Sequence, residues 1–107
     1  MIMENDLEIR AQVKNILDLI KSVAPGKSVE LRVPPYGVIQ FVAGSNHRRG
    51  TPPNTVEMSG QTLIRLINEP ALWGTLCDSG EVRASGLFSD LSYVFAQAAV
   101  KYRAQSS

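Results

Sequence analysis

"SVELRVPPYGVIQFVA", residues 28–43, decides the fold. In its first half Val29, Leu31 and Val33 alternate with Glu30 and Arg32, the pattern of a strand with one buried face. Pro34 and Pro35 make a stiff turn. The second half, "GVIQFVA", is nearly all apolar and β-branched, and reads as a central strand covered on both faces. Two such strands in succession put a sheet at the centre of the chain. The segments on either side must then supply its cover.

Upstream, Ile9, Val13, Ile16, Leu17, Ile20 and Val23 recur at helical spacing, with Arg10, Lys14, Asp18 and Lys21 on the other side. Asn5 and Glu8 form a capping pair, and Pro25 and Gly26 stop the helix. Its polar face mixes signs and has no aromatic anchors, so it is expected to pack on the sheet rather than lie on a membrane.

Downstream, a short strand runs from Thr55 to Met58, expected antiparallel to "GVIQFVA". Ser59 caps a helical segment carrying Leu63, Ile64, Leu66 and Ile67, which "NEP" interrupts at Pro70. A further turn or two brings Leu72, Trp73 and Leu76 before "DSG" ends it. "EVRASG" sets Val82 and Ala84 against Arg83 and Ser85 as another strand. Ser89 or Asp90 then caps a last helix with Leu91, Val94, Phe95, Ala98 and Tyr102 on one face. The residues alone thus give four strands. Strands that come in succession and then alternate with helices indicate an α+β sheet with helices gathered on one face.

The chain has 107 residues, enough for one domain with its own core. Expected boundaries are a helix over 5–24, sheet and broken helix over 28–86, and a helix over 89–104. The single cysteine, Cys77, cannot form an internal bridge, and "MIMENDLEIR" lacks the order of a signal peptide. No apolar run approaches the roughly 20 residues of a membrane span. The protein is expected to be soluble and cytoplasmic, with no integral membrane association.

Eleven basic residues nearly cancel ten acidic ones, giving a net charge of +1 and no global field for a nucleic acid. Locally the balance differs. Between Leu31 and Val56 there is no acidic residue, while Arg32, Arg48 and Arg49 lie there with His47 beside them. The segment "GSNHRRGTPPN", residues 44–54, can be read as a solvated connector. It can also be read as a grip in which a guanidinium fork meets a carboxylate or phosphate, with His47 and Asn54 in support. Its glycines allow close approach and its prolines limit its freedom.

Catalytic and metal chemistry find little support. One histidine and one cysteine, in different elements, do not make a zinc site. There is no P-loop or dinucleotide fingerprint, and Ser89 lacks the glycines of a nucleophile elbow. His47 has no visible partners for a triad. Cys77 reads as a small, inert hydrophobe. Phe41, Trp73, Phe88, Phe95 and Tyr102 occupy apolar positions and read first as core. An apolar cavity, if the core is hollow, would be lined by Phe41, Leu66, Trp73, Leu91, Val94 and Phe95.

Three blocks, "VELRVPPYGVIQ", "NHRRGTPPNTVE" and "GEVRASGLFSDLS", resemble the small actinobacterial proteins known as bacterial sterol carrier protein orthologues. The last block is also similar to the wider sterol carrier protein type 2 group, where a glycine-bounded strand leads into a final helix. The resemblance implies a sterol-carrier-like sheet of five mostly antiparallel strands with helices on one face. It implies an apolar cavity for lipids, fatty acyl chains or sterols. The ending "QSS" is not a peroxisomal address. The fold also resembles the C-terminal domain of mycothiol-dependent maleylpyruvate isomerases, which assists a metal-bearing partner domain.

Two functions follow as expectations. One is a non-catalytic binding domain, without cofactor, for a lipid or small amphipathic ligand, with the basic loop near its anionic group. The other is an accessory domain that contacts a partner protein or a thiol cofactor. Nucleic-acid binding ranks last, since the basic segment has few residues and no interleaved aromatics.

Overall fold

The computed structural model describes residues 4–24, 29–41 and 54–106. Helix α1 spans Glu4–Val23 and is followed by strands β1 (Val29–Val33), β2 (Gly37–Phe41) and β3 (Asn54–Met58). Helix α2 (Gly60–Asn68), a 3₁₀ turn (Pro70–Leu72) and helix α3 (Trp73–Ser79) come next, then strand β4 (Val82–Ser85) and helix α4 (Ser92–Ser106). This is an α+β fold, with four α-helices among the described residues.

Among the described residues the sheet has four strands, not five, in the order β2-β1-β3-β4. β1 pairs antiparallel with β2, β3 antiparallel with β4, and β1 parallel with β3. Two sequence expectations therefore fail. The Thr55–Met58 strand pairs with β1 rather than antiparallel to "GVIQFVA". The apolar run that read as central is, among the described residues, an edge strand bordering only β1, with Val38 exposed. β1, the alternating strand, is the inner one.

The register sorts the side chains by face. Val29, Leu31 and Val33 of β1 and Val56 and Met58 of β3 are buried in one core with the helices. On the opposite face Arg32 stands between Val38 and Glu57, and Glu57 beside Arg83. That face is held by ion pairs: Arg32 with Glu30, and Arg83 with Glu57. Gln40 adds a 3.3 Å hydrogen bond to Glu30, whose side chain is nearly buried. The more exposed Arg83–Glu57 pair contributes little, and together the two pairs leave the polar face with matched charges.

α1 packs on β2, α2 and α4 through Val13, Ile16, Leu17 and Ile20, as its periodicity predicts. Asn5 lies inside this helix rather than before its first turn. Ser59 does cap α2, its Oγ accepting the Thr62 N–H at 3.1 Å. Gly80 closes α3 in the left-handed region at φ 84°, which glycine adopts without penalty.

The β1–β2 turn is fastened to the helices by Tyr36. Its hydroxyl donates to Asp6 at 2.9 Å, and the Arg10 guanidinium lies 5.7 Å from its ring centre. The hydrogen bond to Asp6, then partial burial and the Asp6 charge, raise the phenol above its usual range against the opposing Arg10. Gly60 is the floor of this contact, since a Cβ there would meet the Tyr36 ring at 2.9 Å.

Candidate functional site

At one end of the sheet Phe41 of β2, Val29 of β1 and Asn54 of β3 stand in one row. The described residues on either side of the basic segment, Phe41 and Asn54, thus both stand at this end of the sheet. His47, Arg48 and Arg49 lie outside the described residues, as does the Phe41 side chain. Asn54, read from sequence as a supporting hydrogen-bond group on the loop, is the first residue of β3 and is buried. Its Oδ1 accepts the backbone N–H of Phe88 at 3.0 Å.

That bond joins the root of the basic segment to the β4–α4 turn. Gly86 there has φ 110°, a backbone only glycine takes readily. The Ser89 N–H and Oγ both donate to the Gly86 carbonyl, at 3.3 and 2.8 Å. Asp90 accepts the Ser92 N–H at 2.9 Å, so it, rather than Ser89, serves the start of α4. The braced turn carries Leu87 and Phe88, which are 88% and 67% exposed. The sequence reading of Phe88 as core is thus wrong. An apolar pair in a turn has no periodicity to show which way it faces, although Gly86 and the Ser89–Asp90 pair mark the turn itself.

The other residues named for an apolar cavity come together. Leu66 of α2, Trp73 of α3, and Leu91, Val94 and Phe95 at and after the start of α4 all belong to one buried cluster between sheet and helices. The Trp73 and Phe95 rings are 5.9 Å apart and tilted by 34°. A depression of about 430 Å³ lies elsewhere, around β4, lined by Thr55, Glu57, Arg83 and Ser85 with Cys77 and Gly80 behind. It meets the buried cluster at Val82, which belongs to both, but none of Leu66, Trp73, Leu91, Val94 and Phe95 lines it. The Cys77 thiol is pushed up by burial first, then by Asp90 and Asp78, which favours its protonated form. Among the described residues no group of three acidic, cysteine or histidine side chains is placed to hold a metal, and no helix is long and apolar enough to cross a membrane.

Residues 6–96 match the family model described as bacterial SCP ortholog, SCP standing for sterol carrier protein. The chain belongs to that family. The match runs from the first turn of α1 into the first third of α4, so the sheet, the braced turn and the cluster residues Leu66, Trp73, Leu91, Val94 and Phe95 of this SCP-family chain all lie within it. Among solved structures it is similar to "UbiJ-SCP2 Ubiquinone synthesis protein", with a TM-score of 0.52 and 18% identity over 96% of this chain and 97% of that one. At that identity the likeness concerns the fold, which is SCP2-like in both. None of the curated proteins compared matches the chain.

Proposed function

We propose that this SCP-family chain is a non-catalytic carrier that holds the apolar part of a lipid or similar amphiphile between sheet and helices. The basic segment 44–54 recognises the anionic group of that ligand. Membership of the bacterial SCP ortholog family carries this reading. Two features of the molecule support it. The cluster of Leu66, Trp73, Leu91, Val94 and Phe95 sits between the layers, where an apolar chain would be shielded from water. The described residues on either side of the basic segment stand at one end of the same sheet, Asn54 held by its bond to the β4–α4 turn. An anionic head at that end would find Arg48 and Arg49 without a carboxylate nearby in sequence to neutralise them.

Titration with a long-chain fatty acid tests this. The Arg48→Ala/Arg49→Ala variant is expected to keep its stability within about 0.5 kcal/mol, as at ordinary surface positions. Its affinity is expected to fall at least about tenfold, the loss of one charge-assisted contact. A loss of more than about 1 kcal/mol on melting would instead mean that an arginine bonds inward and holds the loop to the fold. Native mass spectrometry of protein purified from its own host would show the bound mass. A ligand-free chain recovered only with a partner protein would favour the accessory-domain reading.

A further inference from the structure

We propose that the β4–α4 turn is a rigid apolar tip that docks the protein on a neutral phospholipid surface, a role that rests on the carrier reading above. Leu87 and Phe88 are among the most exposed large apolar side chains described, yet Leu91, only a few residues on, is fully buried. Their exposure is built in. The Phe88 N–H is tied inward to the buried Asn54, Ser89 closes the turn twice on the Gly86 carbonyl, and Gly86 takes a positive φ. A turn braced this way keeps both side chains in solvent and loses little further freedom when they enter another phase.

Size and charge select the occupant. The two side chains present at most about 400 Å² of apolar surface, well short of the roughly 800 Å² per partner of a stable protein interface. They are enough for a shallow, reversible contact with a bilayer. The run from Ala84 to Ser89 holds no charged residue, so none need enter the hydrocarbon with them. Among the described residues Asp90 is the charged residue nearest the tip in sequence, and it disfavours an anionic surface, which points to zwitterionic lipid. Tyr93, half exposed in the first turn of α4, is of the type that settles at the lipid–water boundary.

Co-sedimentation with phosphatidylcholine vesicles tests the tip. The wild-type chain is expected to partition. The Leu87→Ser/Phe88→Ser variant should do so at least about tenfold less well, with melting and fatty-acid titration unchanged. A Phe88→Trp variant should shift its emission to shorter wavelength on vesicles and be quenched by brominated lipid. Added phosphatidylserine should not strengthen binding. The proposal is overturned if the wild type does not partition, or if the double serine variant partitions equally. It is also overturned if the pair instead drives lipid-free self-association that the serines abolish. Loss of fatty-acid binding with vesicle binding intact would sink the carrier reading and leave the docking tip standing.

Discussion

Two short apolar stretches lie almost side by side in the chain and meet opposite fates. Leu91, Val94 and Phe95 are fully buried, while Leu87 and Phe88 stand in solvent. Their hydrophobicity is similar; the backbone is what differs. Leu91, Val94, Phe95, Ala98 and Tyr102 repeat at helical spacing, so one rotation of α4 turns them all to the core. Leu87 and Phe88 sit in a turn whose hydrogen bonds fix the main chain regardless of side-chain burial. A repeated apolar pattern therefore reports a core face. An isolated apolar pair between a positive-φ glycine and a capping group reports a surface that meets something else.

The contrast can be tested at its buried side first. Phe95→Ala should destabilise by about 3–5 kcal/mol in chemical denaturation, through lost burial and the cavity left against Trp73. A clearly smaller loss would mean that the ring borders space a ligand can fill, and an unchanged midpoint would place it on the surface. The link between the two stretches comes next. Asn54→Ala removes the acceptor of the Phe88 N–H, and should lower stability by about 1–3 kcal/mol and speed hydrogen exchange of that amide. Slow exchange retained in this variant would show that the turn is braced without Asn54. The smallest effect is expected at the exposed side. Phe88→Ala should leave stability within about 0.5 kcal/mol. A loss comparable to that of Phe95→Ala would end the distinction between tip and core.

Much of the fold was legible where the signal is local. The buried face of α1, the Ser59 cap, the break at Pro70 and the glycine stop at Gly80 follow from spacing, hydrogen-bond chemistry and backbone freedom within a few residues. Strand order was not legible. β3 lies parallel beside β1, although β2 is nearer to it in sequence, because pairing is settled by how helices and strands pack across the whole chain. "GVIQFVA" misled for a related reason. α1 packs on β2, so an edge strand can carry as apolar a sequence as a central one. Of the candidate site, the apolar cluster was legible from helical periodicity. The role of Asn54 as a brace for a distant turn was not, since a buried side-chain bond across the chain leaves no pattern in sequence.

The central claim is that the apolar part of a ligand enters between sheet and helices, and the chain carries its own reporter there. Trp73 is the only tryptophan, buried beside Phe95. Titration with a fatty acid brominated along its chain should quench its emission saturably at one ligand per chain. The unbrominated acid should compete and melting should rise with ligand, as for any binder of the native state. A bound acid that leaves Trp73 emission unchanged, or no saturable binding of any long-chain amphiphile, would contradict the account.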